Sequence, residues 1–399
     1  MHGRLPTNQD FGLGPTNPQS EPAGQGSVPC TKPDFVPKTK KSEMATTSEQ
    51  VENFLQNLKD PETGRPLSAG QQVKSLKLTG QLLTAELGLT SFAAPLHADF
   101  LDQTRQRLAA KFPDLTEIRL SIVPHHRPAQ PLGTVGLTAK AVIAVGSGKG
   151  GVGKSTVALC LALALKRAGC RVGLLDADVY GPSVPQLTGV RGHLAKSGNK
   201  IEPQYYDGMP IVSIGFMVPP DQAVIWRGPM LHSAVTTFVR DIAWGELDHL
   251  IIDMPPGTGD VALTLSQILP VTGSVVVCTP QEVALIDAIK AVSMFRQVKI
   301  PVVGVVENMS GFLCPDCHKR YDIFGKGGAR EYAEQAGLPF LGEIPIHIGV
   351  REKGDAGATA DNFLDPQIAP YLEKIAFQLS QHLSQKAAQS SIQASLPVL

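Results

Sequence analysis

The chain has 399 residues, 42% of them hydrophobic, which allows roughly two or three domains with a sizeable buried core. Lysine plus arginine and aspartate plus glutamate both number 36, so the formal net charge is zero and gives no reason to expect binding to nucleic acid or to an anionic membrane. No apolar run approaches the roughly 20 residues of a membrane span, no secretory signal or transit peptide is recognisable, and six cysteines are too few for a disulfide scaffold, so we expect a reducing, cytoplasmic compartment.

The first 46 residues are rich in Pro, Gly, Ser, Thr and Asn and lack apolar periodicity. Such a segment cannot bury enough surface to offset its chain entropy, so residues 1–46 are predicted to be a disordered tail. Because Met44 lies near the end of this segment, it is predicted as an alternative translation start.

Residues 47–125 predict a small α+β domain. Apolar residues recur at helical spacing over 51–58 and again over 100–112. Alternating residues predict three strands, at 73–79, between 80 and 87, and at 118–122.

A linker of limited flexibility is predicted for residues 126–139, which contain Pro128, Pro131, Gly133 and Gly136. We expect this linker to let the small domain move without sharing the core of the rest of the chain.

Residues 140–384 predict an α/β domain of the P-loop NTPase type, with a mostly parallel sheet flanked by helices, followed by a flexible tail at 385–399. Continuous apolar runs are typical of parallel strands that are buried on both faces. Strands are predicted at 141–145, 172–175, 250–252, 274–278, 302–306 and 340–343. Helices are predicted at 155–168, 229–242, 261–269, 283–295 and 329–336, with a last helix whose apolar stripe (Leu372, Ile375, Leu379 and Leu383) packs on the core.

A phosphate-binding loop is predicted between the first strand and the first helix of this domain, where the sequence fits G-x-x-x-x-G-K-[ST]. Its glycines let backbone N–H groups converge on phosphate oxygens, and the helix N-terminus adds donors. Lys154 is expected to reach the β- and γ-phosphates, and the Ser155 hydroxyl to ligate Mg²⁺. The predicted ATP-binding residues are Gly148, Lys149, Gly150, Gly151, Val152, Gly153, Lys154, Ser155 and Thr156.

Lys149 is a second lysine early in the loop, and the stretch 149–156 resembles the deviant Walker A class. Members of that class dimerise face to face around two ATPs, and the resemblance implies that Lys149 contacts the nucleotide of the partner subunit. A solvated loop lysine is the alternative.

Carboxylates at the ends of two strands are expected at the same site, because parallel strands deliver their C-terminal residues to the ligand crevice. Asp178 is predicted to orient the attacking water, with Asp176 in support. Asp253 reads as the Walker B aspartate near Mg²⁺. The segment 255–260 is expected to be a mobile loop that senses the γ-phosphate, although Asp260 is equally explained as a helix N-cap.

Cys314 and Cys317 form a C-x-x-C pair in a predicted loop. Two thiolates do not complete a tetrahedral zinc site or a four-iron cluster, and the remaining cysteines are poorly placed to help. Two copies of the loop at a two-fold axis would supply four ligands. An iron–sulfur cluster and a shared zinc ion are equally compatible with this chemistry, and a redox disulfide or incidental thiols remain alternatives.

The combination of motifs resembles the Mrp-type iron–sulfur cluster carrier ATPases of the MinD/ParA-like superfamily. The resemblance covers residues 140 to about 383 and rests on GSGKGGVGKS (146–155), DADVYGPS (176–183), WRGPM (226–230), DMPPGTGD (253–260) and CPDC (314–317). It implies a homodimeric ATP hydrolase with a labile [4Fe–4S] cluster bridged by Cys314 and Cys317. It also implies transfer of the cluster to apo iron–sulfur proteins, with cluster donor proteins as further partners. Asn308 matches a position where related ATPases place an asparagine on adenine; a turn residue is the alternative.

The small domain is similar to the iron–sulfur assembly domain often fused ahead of these ATPases, because residues 60–64 match its Asp-Pro-Glu-Thr-Gly motif. Ala94 stands where that domain often carries a cysteine, which argues against a thiol function here.

Two other functions share the phosphate loop. A partitioning or positioning ATPase of the ParA/MinD type would need a basic surface or a membrane helix, neither of which the sequence indicates. A zinc-bridged P-loop enzyme acting on a small metabolite is the other.

Overall fold

The computed structural model describes residues 46–179, 181–217, 228–257, 259–317 and 319–393. The tail predicted for 1–46 therefore lies almost entirely outside the described residues, as do Cys30, Tyr180, Trp226, Arg227, Thr258 and His318. All the described residues belong to one compact unit, Thr46–Leu399.

After residue 137, the strands of five residues or more alternate with helices in the described part of the chain, as the sequence pattern predicts. The helices are α1 Ser48–Gln56, α2 His97–Lys111, α3 Lys154–Ala168, α4 Val184–Thr188, α5 Gly228–Arg240, α6 Gly259–Ile268, α7 Glu282–Gln297, α8 Gly328–Gln335, α9 Ile348–Asp355 and α10 Ala369–Gln393. The strands are β1 Val73–Thr79, β2 Leu82–Leu89, β3 Glu117–Pro124, β4 Pro131–Leu132, β5 Leu137–Gly146, β6 Val172–Asp176, β7 Lys196–Ser197, β8 Lys200–Ile201, β9 Gln204–Tyr206, β10 Met209–Ser213, β11 Leu247–Asp253, β12 Gly273–Cys278, β13 Val302–Leu313, β14 Arg320–Tyr321 and β15 Phe340–Ile346.

The small N-terminal sheet has the order β1-β2-β3, with β1 and β2 antiparallel and β2 and β3 parallel. Helix α1 begins with a capping box, in which Thr47 and Gln50 satisfy each other's backbone N–H groups. Leu55 of α1 and Leu108 of α2 are fully buried in the same apolar cluster as the inner face of β2. The α+β architecture predicted for this region is present.

The large sheet has the order β14-β13-β12-β5-β11-β6-β10-β9, with β15 paired to β13 and β4 to β5. Its central strands are parallel, and β5, β6, β11 and β12 are almost entirely buried, as continuous apolar runs require. The α/β class predicted from the sequence is confirmed. Asp253 pairs with both Val145 and Asp176, so three strands end side by side next to the phosphate loop.

Some boundaries differ from the sequence predictions. Strand β5 begins at Leu137, inside the range predicted as linker, and helix α10 continues to Gln393, inside the range predicted as flexible tail. The extension of α10 has a packing reason, because a Cβ added at Gly64 of the small domain would lie 2.3 Å from the Ala388 Cα of α10. The short strands β7 to β10 were not predicted, since two- to five-residue segments give too little periodicity to be recognised.

The small domain shares buried core with the large one, which contradicts the expectation that the linker would keep the two cores apart. Phe92 and Ala93 lie in the same apolar cluster as β5 and α3. The Phe92 ring stacks on buried His249, with ring centroids 4.5 Å apart, and the Phe92 carbonyl lies 3.1 Å from His249 Nε2. Burial lowers the pKa of His249, which keeps this ring neutral in the apolar interface.

A buried ion network closes the same interface at the amino ends of the parallel strands, opposite the phosphate loop. Glu62 of the Asp-Pro-Glu-Thr-Gly motif contacts Lys140 Nζ of β5 at 3.1 Å and Arg127 Nη1 at 3.2 Å. Lys140 Nζ also lies 3.4 Å from the fully buried Asp248. Although burial raises the pKa of Asp248, hydrogen bonds from Arg171 and Ser91 lower it to about 2, so the carboxylate stays charged.

Candidate functional site

The phosphate loop connects the end of β5 to the start of α3, as predicted. Gly151 and Gly153 adopt φ values of +82° and +76°, which favour glycine and turn the backbone into the helix. A Cβ added at Gly148 would lie 1.9 Å from the Asp287 carbonyl oxygen of α7, so only glycine fits against that helix. The Ser147 hydroxyl donates to the Lys149 carbonyl oxygen at 2.8 Å and fixes the first turn of the loop.

Lys154 lies at the centre of the predicted carboxylates. Its Nζ is 2.6 Å from Asp253 Oδ1, 3.6 Å from Asp178 Oδ2 and 3.2 Å from Ser155 Oγ, and its side chain is only 6% exposed. The ammonium group therefore compensates two buried acidic groups at the place where a phosphate would be bound. The structure brings together four of the residues that sequence predicted for this site.

One carboxylate oxygen of Asp253 has no hydrogen-bond partner among the described residues. Burial raises the pKa of this carboxyl group, and Lys154 opposes the shift. Its second oxygen, Oδ2, is buried and has no hydrogen-bond partner among the described residues. An orphaned carboxylate oxygen beside a P-loop serine hydroxyl fits the oxygen-donor chemistry of hydrated Mg²⁺.

Asp176 and Asp178 have different surroundings. Asp176 is fully buried and accepts hydrogen bonds from the backbone N–H groups of Asp178 and Val184, at 3.1 and 3.2 Å, and from Ser213 Oγ at 2.9 Å. Burial and the nearby Asp253 raise the pKa of Asp176 to about 7. These contacts position the backbone that carries Asp178, whose own carboxylate faces Lys154. Ser213, at the end of β10, was missed because that short strand was not predicted.

Lys149 is partly exposed at the start of the loop, in contrast to the buried Lys154. Its predicted contact with a partner subunit's nucleotide stays a prediction.

Asn308 lies against the phosphate loop. Its side-chain amide donates to the Val152 carbonyl oxygen at 2.8 Å, and a Cβ added at Gly153 would lie 2.2 Å from the same nitrogen. The predicted contact with adenine is untested, and the contact with the loop backbone is an additional role that sequence spacing did not reveal.

The Cys314/Cys317 pair forms the turn of a hairpin between β13 and β14. The Cys314 backbone N–H donates to the Lys319 carbonyl oxygen at 3.0 Å. Cys314 is partly exposed and Cys317 is exposed, and the Lys319 backbone and the Cys314 side chain lower the pKa of Cys317. Both thiols are thus accessible, and Cys317 forms its thiolate more readily than an ordinary cysteine.

The remaining described cysteines, Cys160, Cys170 and Cys278, are buried, and burial raises the pKa of each. Within the described ranges, no group of three or more His, Cys, Asp or Glu side chains is arranged to hold a metal ion. Among the described residues, the hairpin of one chain therefore offers two soft ligands, Cys314 and Cys317.

Comparison with known proteins places this geometry in context. Residues 138–380 match the ParA family model described as NUBPL iron-transfer P-loop NTPase. An iron–sulfur cluster carrier protein of Deinococcus radiodurans is 47% identical over 309 residues, covering 77% of this chain and 87% of that protein. The mouse iron–sulfur cluster transfer protein NUBPL is 46% identical over 257 residues, covering 63% of this chain and 79% of that protein.

A nucleotide-binding protein from Archaeoglobus fulgidus, solved in complex with ADP, is similar in structure. It is 41% identical, with a TM-score of 0.51, and the match covers 56% of this chain and 89% of that one.

Across the part of the chain that the structure describes, no helix is both long enough and apolar enough to cross a membrane.

Proposed function

The chain belongs to the ParA family of NUBPL-type iron-transfer P-loop NTPases, and on this premise we propose that it binds and hydrolyses MgATP and carries a labile [4Fe–4S] cluster to apo iron–sulfur proteins. One observation carries the proposal: an accessible cysteine hairpin follows β13, in the same sheet as β5, the strand that leads into the phosphate loop. The nucleotide site and the cysteine pair that would hold the cluster are therefore both attached to the same central sheet.

Each charged side chain at the nucleotide site has a proposed role in ATP binding or hydrolysis. The backbone N–H groups of the loop and the N-terminus of α3 hold the phosphates, with Lys154 as their counter-charge. Ser155 and Asp253 would hold Mg²⁺, which would supply positive charge to the bound phosphates. Asp178 orients the attacking water, and Asp176 holds the Asp178 backbone in place through its buried hydrogen bonds.

The cargo half needs two chains. Each hairpin contributes the thiolates of Cys314 and Cys317, so two hairpins across a two-fold axis provide the four ligands of a [4Fe–4S] cluster. The exposure of Cys317 supports a cluster held at the protein surface, from which an acceptor's thiolates can displace the ligands. Apo iron–sulfur proteins accept the cluster, and cluster donor proteins supply it.

A transfer assay tests this function. Anaerobically reconstituted protein is mixed with an apo-acceptor that needs a [4Fe–4S] cluster, and the acceptor's circular dichroism and activity are followed with and without MgATP. We expect transfer from the wild type and from Cys278→Ala, whose thiol is buried in β12, but none from the double variant Cys314→Ala/Cys317→Ala. Undiminished transfer from the double variant, or a wild type that loads zinc and no sulfide, would contradict the proposal.

A further inference from the structure

Strand β13 is irregular between the phosphate loop and the cysteine hairpin. On β15 the partners of Asn308 and Phe312 are Ile344 and Ile346, so four steps along β13 match only two along its neighbour. The extra residues form a bulge, in which Met309 has φ +58° and Gly311 has φ +73°. Left-handed backbone at a methionine is uncommon, and it persists only where the surroundings hold it in place.

The first end of the bulge is fixed to the phosphate loop. Asn308 donates to the Val152 carbonyl oxygen at 2.8 Å. The position of a Cβ on Gly153 would be 2.2 Å from Asn308 Nδ2 and 3.8 Å from Met309 Cε. Because Asn308 packs directly against the Gly153 backbone and is hydrogen-bonded to Val152, a shift of the loop backbone would displace Asn308 as well.

The other end of the bulge is fixed to the hairpin through Arg320. Its guanidinium contacts Glu343 of β15 with two nitrogens, Nη1 to Oε1 at 2.7 Å and Nη2 to Oε2 at 3.1 Å. Nη2 also donates to Ser310 Oγ at 3.0 Å, and the Ser310 hydroxyl lies 2.8 Å from Glu343 Oε2 and 2.5 Å from the buried Glu307. The bidentate pair makes this attachment directional as well as strong.

Gly311 leaves room for this arrangement, since a Cβ there would lie 2.6 Å from Arg320 Nε. The backbone of Arg320 pairs with Leu313, the residue immediately before Cys314. Arg320 and Leu313 are therefore the pair of strand residues that closes the hairpin turn.

Resting on the function proposed above, we propose that Arg320 is a positioning residue for Cys314 and Cys317, and that the bulge at 308–311 transmits movement of the phosphate loop to the hairpin. The path runs from the Val152 carbonyl through Asn308 and Ser310 to the Arg320 guanidinium. Occupancy of the nucleotide site thus changes the presentation of the thiols within one chain, before any contact with a second chain.

Thiol reactivity in the metal-free protein tests this coupling without involving the cluster. The rates at which iodoacetamide alkylates Cys314 and Cys317 are measured anaerobically by peptide mass spectrometry, with and without saturating MgADP. Sedimentation velocity is run on the same samples, so that burial of the hairpin in a dimer is excluded as the cause. We expect MgADP to change the wild-type Cys317 rate by about fivefold or more, the lower end of typical coupling between two sites.

Variants of the attachment decide the role of Arg320. In Arg320→Gln and in Ser310→Ala, the ratio of the Cys317 alkylation rates with and without MgADP should fall to about one. Each substitution removes a hydrogen bond between the bulge and the hairpin and leaves the residues of the nucleotide site unchanged. Arg320→Lys should keep part of the wild-type ratio, since lysine retains the positive charge but cannot bind Glu343 with two nitrogens. Arg351→Gln, which removes an exposed arginine of α9, and Asp322→Asn, which removes only the exposed partner of Arg320, should keep the wild-type ratio.

The outcomes separate the two proposals. A wild-type ratio of about one in protein that binds MgADP, or a full ratio in Arg320→Gln and Ser310→Ala, would overturn the coupling. Equal loss of the ratio in Arg351→Gln would also overturn it, because the effect would then be nonspecific. Failure to assemble a cluster on the same preparation would count against the carrier function alone, since the alkylation ratio is measured without iron.

Discussion

Replacing Glu62 with Gln should loosen the small domain from the ATPase domain. Glu62 is 10% exposed and contacts Lys140 Nζ at 3.1 Å and Arg127 Nη1 at 3.2 Å. Removing one partner of a buried pair typically costs about 3–5 kcal/mol. Lys140 keeps Asp248 at 3.4 Å and Arg127 keeps Asp60 at 3.1 Å, so part of the network survives.

We therefore expect the docking free energy to fall by about 2–3 kcal/mol, below the usual range for a buried pair. At 1.4 kcal/mol per factor of ten, the undocked population rises by about 30- to 140-fold. Cys170 reports on that population, because its thiol is buried at the interface and donates to the Phe92 carbonyl oxygen at 3.7 Å. Where redocking is faster than labelling, the Cys170 alkylation rate follows the open population.

The assay is peptide-resolved alkylation of Cys170 under native conditions, with the buried Cys278 of β12 as an internal control. Glu117→Gln is the matched variant, because it removes an exposed glutamate of the same small domain that pairs with Arg119. We expect faster labelling of Cys170 only in Glu62→Gln. An unchanged Cys170 rate, or an equal rise at Cys278, would refute the interpretation of Glu62 as an interface clamp.

Four further substitutions test the site itself. Lys154→Ala should abolish tight MgATP binding measured by calorimetry, because the phosphates lose their main counter-charge; wild-type affinity would contradict this. Asp178→Asn should retain binding and slow hydrolysis by about 10²–10⁴-fold, and equal rates would remove this residue from the mechanism. Lys149→Ala should recover hydrolysis in mixed dimers with an Asp178→Asn subunit, and no recovery would argue against action between subunits. Gly311→Ala should disturb the hairpin and lower the melting temperature more than Gly325→Ala, because both glycines have positive φ but a Cβ at Gly325 meets nothing within 4 Å.

The central sheet and the phosphate loop could be predicted from the sequence because both depend on local patterns. Continuous apolar runs such as 172–175 fit strands that are buried on both faces, and the structure places β6 at Val172–Asp176. The spacing of glycine and lysine in the loop likewise predicts its backbone conformation, because Gly151 and Gly153 adopt the positive φ angles that glycine favours.

Contacts between distant segments could not be predicted in this way. Glu62 meets Lys140 and Asn308 meets Val152 only after the chain has folded, and no periodicity records either pairing. The same limit applies to Asp176. Its place at a strand end suggested a role near the attacking water, whereas its fully buried hydrogen bonds to backbone N–H groups and Ser213 show what the side chain contacts in the structure.

The central claim is tested most directly by iron, sulfide and zinc analysis of anaerobically reconstituted protein, combined with native mass spectrometry and Mössbauer spectroscopy on the same sample. The account predicts about four irons and four sulfides per two chains in the wild type, and none in Cys314→Ala/Cys317→Ala with the fold intact. Stoichiometric zinc without sulfide in the wild type, or a cluster retained by the double variant, would contradict it.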